Sequence, residues 1–199
     1  MSVSPVVRRS LATLVIAGLA SPVLARAATD EALWSLLRQG GQIVLVRHAQ
    51  TTPGVGDPSG MRLDDCATQR NLSEEGRRDA QLLGATLRRQ GVSARRLLSS
   101  PWCRCVETAR LAFERMPQVS EELGNLFDRP EREPAQTRAL KRLVADAART
   151  SSGAPGNVFM FTHGSTISAL LGVTPATSEM VILTPGPDGF SVAGRLSLR

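Results

Sequence analysis

At 199 residues the chain is long enough for one well-buried domain and short for two. Its apolar content of 42% and charged content of 21% are ordinary for a globular protein. The formal net charge is +6, but Arg8, Arg9 and Arg26 carry half of it, the remaining arginines are scattered among acids, and Tyr is absent. No basic stripe with stacking side chains forms, which argues against a nucleic-acid partner.

Residues 1–27 read as an export signal. Arg8-Arg9 precede an apolar stretch over 11–20, and Ala25-Arg26-Ala27 closes the segment as an A-x-A cleavage pattern. The stretch is well short of the ~20 residues that a spanning helix needs, so no stable membrane insertion is expected after signal removal. Arg8-Arg9-Ser10-Leu11 also resembles the twin-arginine signal, which leaves both that route and the general secretory route open. The expected destination is the periplasm or the exterior, with a retained anchor as the alternative.

From residue 28 to 199 the pattern is that of a single domain. A short amphipathic helix over 30–38 is broken by Gly40-Gly41. The apolar run from Gln42 to Val46 then reads as a buried strand ending in Arg47-His48. Residues 52–71 are polar and rich in Gly, Pro and Asp, as expected of a long functional loop. Ser73 reads as an N-cap, with Glu74 and Glu75 in the first turn. Ala80, Leu83, Gly84 and Leu87 form the buried face of the helix that follows, and Gly91 stops it. A second strand over 96–99 leads into Ser100-Pro101-Trp102-Cys103-Arg104, where Pro101 fits the first helical position. That helix continues to about residue 115, with Val106, Ala109 and Phe113 inward. Residues 116–120 read as an edge strand, and Pro130 and Pro134 as loop markers. A helix over 135–150 and a turn over 151–156 lead to the apolar strand from Asn157 to Thr162, which ends in His163. A short helix over 166–171 follows. Strands over 179–183 and 190–198 close a hairpin around 185–189. The alternation implies an α/β fold, a three-layer α/β/α sandwich with a mostly parallel sheet. Antiparallel pairing is left open for the last strands.

Export bears on the three cysteines, Cys66, Cys103 and Cys105, because an oxidising compartment permits a disulfide. Cys103 and Cys105 are two apart at a helix start, so their side chains diverge. Cys66 with Cys103 is the preferred pair, and three buried thiols are the alternative. Zinc-ligand spacing is missing.

The chain has two histidines, and both end buried strands. Ligand crevices of open α/β sheets lie at such strand ends. Three segments converge there if the strands are neighbours: Arg47-His48-Ala49, Ser99-Ser100-Pro101-Trp102-Cys103-Arg104, and Thr162-His163-Gly164. Two guanidinium forks, Arg47 and Arg104, can grip a phosphoryl group bidentately. A neutral imidazole can attack phosphorus in line, and a protonated second imidazole can stabilise the equatorial charge. This chemistry calls for no metal and no cofactor. Taken singly, Arg-His, Ser-Pro-x-x-Arg and Thr-His-Gly are ordinary surface or helix-start sequences.

Together, these motifs resemble those of the histidine phosphatase superfamily, the phosphoglycerate mutase-like fold. The resemblance runs from about Gln42 to at least Leu183, and includes Asn71-Leu72-Ser73-Glu74-Glu75-Gly76-Arg77 at the first long helix. It implies a three-layer α/β/α sandwich and a small phosphorylated substrate. It implies His48 as the phosphate-accepting nucleophile, Arg47 and Arg104 as phosphoryl ligands, and His163 as the second pocket histidine. Two departures stand out. Arg-His-Gly is Arg-His-Ala here. The proton donor is also missing at both positions the family uses, where this chain has Gly164 and, by the alignment of Leu123-Gly124-Asn125, an amide. Glu121, Glu122, Asp128 and Glu179 are the remaining candidates. General acid catalysis contributes ~10²–10⁴-fold. Without it, phosphates with good leaving groups and phosphoramidates such as phosphohistidine are the expected substrates. Gln69 and Arg70 in the 52–71 loop, with Glu179, are the expected substrate-binding walls. The runner-up is a phosphate- or phosphosugar-binding module of the same fold without turnover. Oligomeric state is left open.

Overall fold

The computed structural model describes Met1 and residues 29–127 and 129–198. The signal reading of residues 1–27 and the candidate acid Asp128 lie outside the described residues.

Six strands form one sheet in the order β3-β2-β4-β1-β5-β6. They are β1 (Ile43–Arg47), β2 (Ala94–Ser99), β3 (Gln118–Val119), β4 (Asn157–Thr162), β5 (Met180–Gly186) and β6 (Gly189–Leu196). The four from β3 to β1 are parallel, and the hairpin β5–β6 pairs antiparallel on the far edge. The helices are α1 (Asp30–Gln39), α2 (Glu74–Arg89), α3 (Cys103–Phe113), α4 (Glu133–Ser151) and α5 (Gly164–Leu171).

Strand alternation splits the core into two layers. Val44, Val46, Phe159 and Phe161 face α1, α2 and α3, where they meet Leu33, Leu83 and Ala109. Ile43, Leu45, Val158 and Met160 face α4 and α5, where they meet Leu140, Val144 and Ile167. The chain is thus a three-layer α/β/α sandwich.

Local chemistry sets the helix ends. Thr29 caps α1 by accepting from the Ala32 N–H, and Ser73 caps α2 by accepting from the Gly76 N–H. Gly40 ends α1 at φ 81, a left-handed conformation that glycine adopts without a Cβ penalty. α2 and α3 pack closely at Gly84, where a Cβ would stand 2.1 Å from the Ala112 carbonyl oxygen.

Several boundaries differ from the sequence reading. Trp102, with extended backbone, is the N-cap of α3, so Pro101 lies one residue ahead of the cap rather than at the first helical position. Arg104, Cys105, Thr108, Ala109 and Ala112 form the buried stripe of α3, while Val106 is half-buried. α4 begins at Glu133 and takes Pro134 into its first turn, where a missing N–H costs no intrahelical bond. The strands of the final hairpin extend to Gly186 and from Gly189, which shortens the turn to Pro187 and Asp188.

Candidate active site

β1 and β4 are adjacent and parallel, with Arg47 opposite Thr162. His48 and His163 therefore leave the sheet side by side. The His48 N–H donates to the Thr162 carbonyl at 2.9 Å, and the two rings lie 5.3 Å apart between centroids. After β1 the chain turns toward the face of α2, and after β4 it enters α5 on the opposite face. That divergence opens a crevice at the carboxyl ends of the two strands. β2 flanks β4 on its other side and delivers Ser100 and α3, with the Ser100 N–H donating to the Phe161 carbonyl. Arg104 stands in the first turn of α3.

A cavity of about 380 Å³ fills the crevice, with Arg47, His48, Arg70, Arg104, Asn125 and His163 in its wall. Its electrostatics are dominated by guanidinium groups. The Nε atoms of Arg47, Arg70 and Arg104 are all buried without a hydrogen-bond partner. Their terminal nitrogens are tied back, Arg47 Nη1 to the Pro175 carbonyl and Arg70 Nη1 to the Gly54 carbonyl. Burial lowers the pKa of Arg47 and of Arg70, the latter helped by Arg104, but the groups keep their charge because their ordinary value is so high.

His48 donates from Nδ1 to the Ala49 carbonyl at 2.8 Å. This fixes the tautomer and leaves the Nε2 lone pair available. Burial, and then the positive charge of Arg104, Arg47 and Arg70, push its pKa down to about 3 against the opposing Ala49 bond. His48 is therefore a neutral imidazole at working pH. His163 is fully enclosed. Burial first, then His48 and the same arginines, hold its pKa well below the ordinary value. Its Nδ1 faces Arg104 Nη2 at 3.4 Å, and Nε2 lies 2.8 Å from Ser100 Oγ. Arg104 can only donate, so the His163 proton resides on Nε2 and points to Ser100. His163 is thus a neutral ring here, and the positive charge that it could supply only when protonated comes from the arginines.

The structure brings Arg47, His48, Arg70, Arg104 and His163 to one cavity. It does not bring Gln69 there. The Gln69 amide donates to the Arg62 and Leu63 carbonyls, and its oxygen accepts from the Cys103 N–H. Gln69 therefore satisfies an orphan donor at the start of α3 instead of contacting a substrate. Glu179 is also outside the cavity wall, behind Arg47, with its carboxylate locked to Arg195 and the Ala176 N–H. Glu121 and Glu122 border a separate shallow depression beside α4. Asn125 does line the cavity. Its oxygen accepts from Ser165 Oγ and the Phe127 N–H, which leaves the NH₂ end as the donor. A side chain at Gly164 would crowd Arg47, since its Cβ would sit 3.3 Å from Arg47 Nε.

Cys66 and Cys103 form a disulfide with Cα atoms 5.7 Å apart, and Cys105 is a buried thiol that burial pushes up to about 12. The bond ties the 52–71 loop to the first residue of α3, next to Arg104.

Sequence reasoning missed Asp57. Its Oδ1 accepts from Arg104 Nη1 at 2.6 Å and from the Arg70 N–H, and its Oδ2 accepts from Arg104 Nη2 and Trp102 Nε1. Nothing in the loop's spacing separates Asp57 from Asp64 or Asp65, both of which pair with Arg62 at the surface.

Residues 43–128 match the model of the histidine phosphatase superfamily, branch 1. That stretch carries His48, Arg47 and Arg104, and it is similar to the histidine phosphatase superfamily. No curated protein matches this chain in sequence. Solved structures share its fold at low identity. The protein histidine phosphatase SixA, complexed with tungstate, is 18% identical, with 78% of this chain and 96% of that chain covered and a TM-score of 0.55. The mycobacterial glucosyl-3-phosphoglycerate phosphatase complexed with VO3 is 19% identical, with coverage of 76% and 96% and a TM-score of 0.56. A phosphoserine phosphatase variant from Entamoeba histolytica, in complex with phosphoserine, is 11% identical, with coverage of 78% and 96% and a TM-score of 0.53.

Proposed function

We propose that this chain is an exported, metal-independent phosphatase that hydrolyses a small phosphoester or phosphoramidate through a phosphohistidine on His48. The observation that carries this reading is that three guanidinium groups with unpartnered Nε atoms share one cavity with the neutral imidazole of His48. Simple anion binding would use the arginines and leave a buried, uncharged histidine without purpose.

In this mechanism the phosphoryl oxygens take the Nε donors of Arg47, Arg70 and Arg104. The donors stand ready before the substrate arrives, so little reorganisation is needed as charge builds on the equatorial oxygens. His48 Nε2 attacks phosphorus in line as the bond to the leaving group breaks, giving phosphohistidine. Water then attacks phosphorus, the P–N bond breaks, and phosphate leaves. His163 and Ser100 hold Arg104 in plane. Three guanidinium groups supply the positive charge that a metal ion supplies in other phosphoryl-transfer sites. The tungstate and VO3 bound by the fold neighbours are oxyanions of the shape this cavity would receive.

The test is hydrolysis of p-nitrophenyl phosphate from acid to neutral pH with EDTA present, beside His48→Ala. EDTA-resistant turnover that disappears in the variant is the expected result. Equal turnover in both proteins refutes His48 as nucleophile, and no turnover in either would favour a phosphate-binding module. Export is tested separately by N-terminal sequencing of the secreted protein, with Ala28 expected as the first residue.

A further inference from the structure

We propose that Asp57 is the general acid of this phosphatase, carried by the 52–71 loop instead of by either family position. The inference rests on the phosphatase reading above. Asp57 is the carboxylate that the described residues place at the reacting groups, bonded to both terminal nitrogens of Arg104, whose Nη2 lies 3.4 Å from His163. It also stands on a boundary. A second depression adjoins the active cavity and shares Gly56, Asn125 and Phe127 with it, and Asp57 and Trp102 form part of its wall. A leaving group that extends from the active cavity into that depression would pass Asp57.

The same contacts explain how an ionised carboxylate becomes a proton donor. Burial pushes the Asp57 pKa up, and the Arg104 hydrogen bonds and charge, helped by the Arg70 N–H and Trp102, overcome it and hold it down. An incoming phosphoryl group competes for the guanidinium of Arg104. Once Arg104 also holds the phosphoryl oxygens through Nε, its pull on Asp57 weakens, and burial and the neighbouring anion both favour the protonated acid.

The proton arrives with the substrate. A phosphate monoester has its second pKa near ~6 and enters at mildly acidic pH as the monoanion. Its proton passes from a phosphoryl oxygen to Asp57. His48 Nε2 then forms the bond to phosphorus, and the P–O bond to the leaving group breaks with its electron pair on oxygen. That oxygen takes the proton from Asp57. In the second half, water attacks phosphorus, Asp57 takes the water proton, and His48 departs with the P–N electron pair. Asp57 passes that proton to the phosphate, which leaves as the monoanion, and the ionised carboxylate is again held by Arg104 alone.

The experiment compares p-nitrophenyl phosphate with an alkyl phosphate, β-glycerophosphate, in wild type and Asp57→Asn. The amide keeps an acceptor for Arg104 but has no proton to give. With Asp57 as the acid, kcat in wild type differs by less than about tenfold between the two substrates. In the variant kcat for the alkyl phosphate falls by ~10²–10⁴-fold, at least tenfold more than for p-nitrophenyl phosphate. An equal loss on both substrates overturns the proposal, because Asp57 would then only position Arg104. A lower KM with undiminished kcat on both also overturns it, because Asp57 would then only compete with phosphate. The wild-type comparison needs no variant, and a preference above 10³-fold for the aryl ester refutes Asp57 whether or not the variant folds. Wild type inactive on p-nitrophenyl phosphate would instead remove the phosphatase reading, and this proposal with it.

Discussion

Acidification should destabilise this fold well above the range in which carboxylates titrate, and His48 sets the size of the effect. In the unfolded chain its imidazole takes a proton near its ordinary value of about 6.5. In the folded protein burial and three arginines refuse that proton until about pH 3. The folded pKa is depressed, so the contribution is complete above pH 6.5, shrinks as pH falls, and is gone below about 3. With those two values, linkage gives a loss of about 2 kcal/mol between pH 7 and pH 5 and about 5 kcal/mol in full. Urea unfolding at pH 7 and pH 5, for wild type and His48→Asn, isolates the effect. His163 shifts in the same direction but is present in both proteins, and Asp57 and Glu179, whose values are depressed, act only below about pH 4. The wild-type free energy should drop by about 2 kcal/mol more than that of the variant over this interval. Equal drops would mean that His48 is solvated or already charged, and the neutral-nucleophile argument would fall with it.

Other outcomes follow from single contacts. Arg104→Ala should lower kcat/KM on p-nitrophenyl phosphate by at least 10²-fold. It should also cost about 3 kcal/mol in urea unfolding, because it leaves half-buried Asp57 without its partner. Cys66→Ser with Cys103→Ser opens a link spanning 37 positions, for which the chain-entropy estimate is about 4 kcal/mol; oxidised wild type and the double variant should differ by that order in urea unfolding. Gly84→Ala should lower Tm by several degrees without changing KM, since a methyl 2.1 Å from the Ala112 carbonyl forces α2 and α3 apart far from the cavity.

Periodicity and strand-end chemistry made the sandwich and the group Arg47, His48, Arg104 and His163 legible, because each motif is contiguous and its strand is apolar throughout. Helix starts were less legible. Trp102 became an N-cap and Pro134 a first-turn residue through backbone geometry that composition does not encode. Loop residues were least legible. Gln69 and Arg70 are neighbours in a polar segment, yet one caps α3 and the other reaches the cavity. Asp57 acquires its place only when the disulfide and Arg104 fold the loop across the crevice. Glu179 failed as a site residue because Arg195, sixteen positions away across the β5–β6 hairpin, already holds it.

The strand order has a kinetic consequence. β4 lies between β1 and β2, so those two strands have no direct pairing and share a sheet only through a segment made late in synthesis. A nascent chain that stops short of residue 157 can form its helices but cannot join the halves of the sheet. The loop closures that join them are long, which slows folding and keeps apolar strands exposed meanwhile. The last central strand to arrive also carries His163. Sheet closure and the pairing of His48 with His163 are therefore one event, and no stable half-built cavity precedes it.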